Sequence, residues 1–235
     1  GIEQSNTGGE GMFFCCIFAQ VMQKRNFVHP LFVGLFAFLW IALPHSSLRA
    51  QSLEELIAAL PEGTIPFLDV EARESLVKAK PTQEVEVQAL GSLLVLKVEE
   101  RTKRFLSFGT GALSFEMVAL AHSGGDILCC ITTIKEPFVY SSISFFNKRG
   151  ETLSPESLLP NCPIANLLLP EASDQDRVKV FGLSRSISFS SSEEFLNVSL
   201  VPESAPTEEE KEHWRTLLRP EPLRLKWKRK AFQLQ

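Results

Sequence analysis

Residues 112–146 read ALSFEMVALAHSGGDILCCITTIKEPFVYSSISFF. Three apolar runs, ALSFEMVAL, DILCCITTI and FVYSSISFF, are rich in β-branched and aromatic residues. Two turn signals part them, Ser123-Gly124-Gly125-Asp126 and Glu136-Pro137. Short strands broken by such punctuation predict antiparallel hairpins. Alternation in SSISFF puts Ile143 and Phe145 on one face. The pattern extends backwards through VEVQAL, LLVLKVEE and RFLSF, with Gly91 and Gly109-Thr110-Gly111 as breaks, so that residues 84–147 predict an antiparallel meander with one buried face.

The flanks predict helices. In SLEELIAAL, residues 52–60, Leu53, Leu56, Ile57 and Leu60 share a face, Ser52 is a good N-cap and Glu55 completes a capping box. Pro61 and Gly63 end it. Asp69 caps a second helix reaching about Ala79, and Pro81 stops that one. Thr207 with Glu210 opens a helix to Leu218, acidic at its positive dipole end. A short helix is expected after residue 154, then a Pro-bounded link through Pro160 and Pro163 and an apolar piece, Ile164 to Leu169. Glu171 to Arg177 reads as a polar loop. Strands are expected at Val178–Phe181, Ser184–Phe189 and Phe195–Val201, and a last strand pair at Leu223–Leu234. Helices before, between and after the strands make this an α+β fold.

The N-terminal 50 residues have a different character. Lys24 and Arg25 follow Met22, an apolar run LFVGLFAFLWIAL spans residues 31–43, and Pro44 to Ser47 lead to Ala50. This order predicts a secretory signal over residues 22–50, cleaved near Ala50 and Gln51. A spanning helix wants about 20 apolar residues, and this run is shorter. Residues 1–21 are expected to be an upstream extension or part of a longer signal, with Met12 or Met22 as the start. Residues 51–235 are then the exported domain, with sub-halves at 51–160 and 161–235, periplasmic or extracellular, soluble and not membrane-spanning.

The chain carries 24 Lys and Arg against 28 Asp and Glu, for a net charge of −4. Mild acidity excludes the broad basic footprint of a nucleic-acid binder. Beyond residue 50 stand two histidines, His122 and His213, and three cysteines, Cys129, Cys130 and Cys162. Neither histidine has a second ligand at metal-binding spacing. His122 with Cys129 or Cys130 is a weak Cys–His candidate. Adjacent Cys129 and Cys130 point to opposite faces of a strand, so Cys162 can bridge one at most; three buried thiols are the simpler expectation. Gly109-Thr110-Gly111 lies between strands and lacks the helix that a phosphate loop needs. No catalytic, cofactor or metal residues are therefore assigned.

The candidate binding patch is the basic ending: Arg224, Lys226, Trp227, Lys228 and Lys230. It suits an acidic glycan, a lipid head group or another protein. The plainer and favoured alternative is a solvated strand face whose lysines keep an edge from aggregating.

Several stretches carry a resemblance. Pro61-x4-Pro66-Phe67-Leu68 followed by Arg73-Glu74-Ser75-Leu76 resembles P-x4-P-Y-L…R-x-D-L. Cys130-Ile131-Thr132-Thr133 followed by Ser142 to Phe146 resembles V-x-T…S-x-I-x-F-Y. Leu223 to Phe232 resembles Y-R-W-x-G-K-x-F. In this order they are similar to the family called domain of unknown function 3256, exported proteins of Bacteroidales. Phe67, Ser75 and Arg229 stand where the pattern has Tyr, Asp and Gly. The resemblance implies export and an α+β fold, and no activity. The leading expectation is a non-enzymatic envelope or extracellular interaction module, with another envelope protein or a glycan as partner. A hydrolase or other enzyme acting on envelope or host polymers is the alternative. A lesser one is inhibition of an exported protein through a sheet edge.

Overall fold

The computed structural model describes residues 51–65, 68–89, 92–159 and 164–235. The expected signal at 22–50, the extension at 1–21 and Cys162 lie outside the described residues. Those residues form eleven strands in two antiparallel sheets and five α-helices.

Two helices come first, α1 (Leu53–Ala58) and α2 (Val70–Lys78). The predicted capping box is present: the Glu55 N–H donates to Ser52 Oγ at 3.2 Å, and the Ser52 N–H to Glu55 Oε2 at 3.1 Å. Asp69 Oδ1 accepts from the Ala72 N–H at 2.7 Å. Leu53, Leu56, Ile57 and Leu60 are all buried, as their spacing predicts.

The meander follows as β1 (Glu84–Ala89), β2 (Ser92–Arg101), β3 (Phe105–Gly109), β4 (Leu113–Leu120), β5 (Ile127–Ile134), β6 (Tyr140–Phe146) and β7 (Thr152–Leu153), hydrogen-bonded in that order. The expectation of one buried face is corrected. On one side Leu106, Phe108, Met117, Leu128 and Cys130 join α1 and α2 in a core. On the other, Phe105, Val118, Ile127, Cys129 and Phe145 join a second core beneath a second sheet. The physical reason is visible in β5: its continuous run Ile127 to Ile131 has no polar alternate residue to offer water, and every one of those five is buried.

After β7 come α3 (Pro155–Leu158), a 3₁₀ turn at Ile164–Leu167, α4 (Asp174–Lys179) and a 3₁₀ turn at Val180–Gly182. Here two expectations fail. Residues 171–177 are not all loop and Val178–Phe181 is not a strand. Ser173 and Asp176 form a capping box that starts α4 (Asp176 N–H to Ser173 Oγ 3.2 Å; Ser173 N–H to Asp176 Oδ2 2.9 Å).

The second sheet has β8 (Ser184–Ser190), β9 (Phe195–Val201), β10 (Leu223–Trp227) and β11 (Phe232–Leu234), in the order β11-β10-β9-β8. Between β9 and β10 lie a 3₁₀ turn at Pro202–Ser204 and α5 (Glu208–Leu217), whose Thr207 Oγ1 accepts from the Glu210 N–H at 3.2 Å. Trp214 of α5 is buried in the core shared by the two sheets.

β8 is an edge strand, yet two of its outward amides are used. The Ile187 N–H donates to Ser141 Oγ at 3.0 Å, and the Phe189 N–H to Glu116 Oε2 at 2.7 Å. Side chains of the large sheet thus close the edge of the small one, which removes a template for strand addition there.

Candidate functional site

The groups most able to do chemistry are engaged in holding the fold. His213 Nε2 lies 2.9 Å from Asp176 Oδ1, and the Ser173 hydroxyl donates to Asp176 Oδ2 at 2.6 Å. The order is serine, aspartate, histidine. In a nucleophilic triad the histidine must touch the serine to take its proton; here the carboxylate stands between them. Those two contacts hold the Asp176 carboxyl down at about 2. The trio fastens the start of α4 to α5.

Cys129 and Cys130 are buried in different cores. Burial pushes the Cys130 thiol up to about 12 and the Cys129 thiol well above its ordinary range. Neither offers a thiolate at neutral pH. Burial likewise pushes the Glu116 carboxyl up to about 7, against the pull of the Phe189 N–H, with Glu99 and Glu100 adding repulsion. His122 is in the β4–β5 turn, where its Nδ1 accepts the Gly124 N–H at 3.1 Å.

The predicted basic patch divides. Arg224 is tied to the Glu193 carboxylate and lies 4.2 Å over the Phe195 ring; Lys226 also faces that ring at 5.3 Å. Their strand, β10, is interior to the sheet, which removes edge protection as the reason for their charge. Lys228 and Lys230 are not on a strand face. They belong to the β10–β11 turn and are exposed.

Trp227 docks that turn onto another. Its Nε1–H donates to the Ala121 carbonyl at 2.6 Å, and its ring meets Phe232 edge-on at 5.0 Å and His122 at 6.4 Å. The Ser123 N–H donates to the Arg229 carbonyl at 3.3 Å. Arg229, where the family pattern has Gly, has φ +63°, a left-handed conformation that favours glycine.

A third turn joins them. Lys148 Cδ lies 3.4 Å from where a Cβ on Gly125 would stand. A cleft of about 250 Å³ between the β4–β5 and β6–β7 turns is lined by His122, Gly124, Gly125, Asn147, Lys148 and Arg149, among others. Gly150 (φ +77°) fixes the β6–β7 turn: a Cβ there would collide with the Ala59 carbonyl at the end of α1. Lys148 and Arg149 lie outside the patch that the sequence predicts. No local signal ties them to Lys228 and Lys230, some 80 positions later; the two turns belong to different sheets, and each adjoins the β4–β5 turn.

Lys148, Arg149, Lys228, Arg229 and Lys230 are exposed and make no ion pair among the described residues. One carboxylate, Glu151, lines the first cleft together with Lys148 and Arg149. Asp126 pairs with Arg104 at 3.1 Å, and Glu151 accepts from Asn147 Nδ2 at 2.6 Å. Glu194 shares a second cleft, of about 220 Å³, with Trp227 and Arg229.

Residues 45–232 match the model of a family described as protein of unknown function, DUF3256. The fold is similar to a solved domain of an uncharacterized protein from Porphyromonas gingivalis W83, at 21% identity and a TM-score of 0.63, covering 78% of this chain and 97% of that one. Such a likeness shows the fold alone. No curated protein matches.

Proposed function

The chain belongs to the DUF3256 family, and on that premise we propose that it works as an exported, non-enzymatic interaction module whose contact surface includes the exposed basic turn after Trp227, Lys228 to Lys230, and not the paired Arg224. The observation that carries this reading is the contrast between two sets of polar groups. His213, Asp176, Ser173 and Glu116 are consumed by contacts that join helices and sheets. The cations of the turns have no such internal work. Charge left unneutralised at one end of a domain serves recognition and association more than folding.

Export is supported by the order of basic, apolar and small residues over 22–50. Among the described residues no helix is long and apolar enough to cross a membrane.

The competing reading is an enzyme acting on an envelope polymer. The purified protein is incubated with an envelope polysaccharide fraction, and the size distribution of the polymer is followed. An interaction module retains polymer and leaves its size unchanged. Shortened polymer, lost in a His122→Ala, His213→Ala, Glu116→Gln variant that still folds, would overturn the proposal.

A further inference from the structure

The three-turn end carries a more specific assignment, resting on the interaction-module reading. We infer that the β4–β5, β6–β7 and β10–β11 turns together form a binding site for a linear acidic polysaccharide. The cleft beside Lys148 and Arg149 takes one anionic group. Lys228, Arg229 and Lys230 meet the next along the chain.

Four observations favour this partner. The cations come from turns far apart in sequence that both adjoin the β4–β5 turn: Trp227 bonds to Ala121 and Ser123 to Arg229, and Lys148 and Arg149 share a cleft with Gly124 and Gly125. Arg229 keeps a long cationic side chain at a left-handed position that glycine would fill without strain. The cleft is concave and carries Lys148 and Arg149 at its wall, beside the one carboxylate of Glu151. The Trp227 ring is packed against Phe232 and near His122, so it is not an open platform on which a nucleic-acid base could stack.

A membrane surface fits less well. The large exposed apolar side chains among the described residues are Val70, Leu93, Val95, Ile134, Tyr140, Val178, Phe181 and Leu234. None lies in the three turns, which offer lipid no apolar anchor. What remains is a polyanion without acyl chains or bases, of which we assign the polysaccharide; polyglutamate in the titration below stands for an acidic protein segment, and preference for it overturns the inference.

The test is a binding titration of the purified protein at low salt against heparin, polygalacturonate, neutral dextran, polyglutamate, a DNA duplex, and vesicles of phosphatidylglycerol in phosphatidylcholine. Binding to heparin or polygalacturonate in preference to the others is expected. Lys148→Glu with Arg149→Glu should weaken it by about tenfold or more, and so should Lys228→Glu with Lys230→Glu. Arg224→Glu, on the paired side of β10, should change it by less than about twofold. Thermal unfolding of each variant confirms that the exposed substitutions leave the fold intact.

Absence of polysaccharide binding, preference for polyglutamate, DNA or vesicles, or an Arg224→Glu effect as large as the turn pairs would overturn the inference. These outcomes are separable from failure of the module reading, which shows as polymer cleavage. A polymer retained uncut but indifferent to the turn charges removes this site and leaves the module.

Discussion

The Glu116 carboxylate, on a strand of the large sheet, accepts the Phe189 backbone N–H from the edge strand of the small sheet at 2.7 Å. One side chain therefore closes a sheet edge and joins two layers of the fold. Its position has a cost, because burial favours the protonated form and raises the carboxyl to about 7. A carboxyl whose folded value lies above its unfolded one contributes stability that is fully present below the unfolded value. That contribution is lost as pH rises through about 7. Glu116→Gln keeps an acceptor and removes the charge. We expect the wild type to lose stability between about pH 4.5 and 7, and the variant to be more stable at pH 8 by up to about 3 kcal/mol. Denaturant midpoints across that range measure it. A wild type whose stability is flat there contradicts the account.

Arg73 is 4% exposed and donates from its guanidinium to the carbonyls of Leu60 (2.6 Å) and Ile57 (3.3 Å) at the end of the first helix, and to that of Asp69 (3.3 Å). Arg73→Met leaves these acceptors without their donor. A loss of about 2–3 kcal/mol is expected in urea unfolding. A change under about 0.5 kcal/mol would mean that the carbonyls find other partners.

Arg229 stands at φ +63°. Arg229→Gly relieves the left-handed strain and should stabilise the domain by about 1 kcal/mol, while weakening acidic polysaccharide binding. Opposite signs in the two measurements are the expected result. A variant that loses both stability and binding would show that the side chain holds the turn rather than the ligand.

Trp227→Phe keeps an aromatic ring against Phe232 and deletes the donor to Ala121. The expected cost is about 1 kcal/mol. The local consequence is more diagnostic: amide exchange at Ser123, whose N–H donates to Arg229, should speed up more than exchange in the strands. Uniform acceleration would place Trp227 in the global core instead.

Much of this fold is legible from local chemistry. The Ser52–Glu55 capping box, the Asp69 cap and the Gly124-Gly125 turn are decided by neighbours in sequence, and each appears where its residues place it. The burial of both faces of the meander is a matter of layers. DILCCITTI carries the signal, since Ile127 to Ile131 has no polar alternation, whereas the alternating SSISFF points to a solvated face. Val178 to Phe181 is β-branched and aromatic and reads as a strand. The capping box from Ser173 to Asp176 starts a helix there instead, and leaves Val178 and Phe181 exposed. The basic ending was visible, but its division was not. Arg224 and Lys226 meet Glu193 and Phe195 across β9 and β10, whereas the turns that carry Lys148 and Arg149, and Lys228 and Lys230, each adjoin the β4–β5 turn.

Mapping a bound acidic oligosaccharide by amide chemical-shift perturbation tests the central claim most directly. The perturbed amides should fall in residues 121–126, 147–150 and 228–231, with the strands little affected. Perturbation gathered instead in the apolar cleft of about 380 Å³ beside Ile57, Val70, Arg73 and Val77, with the three turns silent, would contradict it.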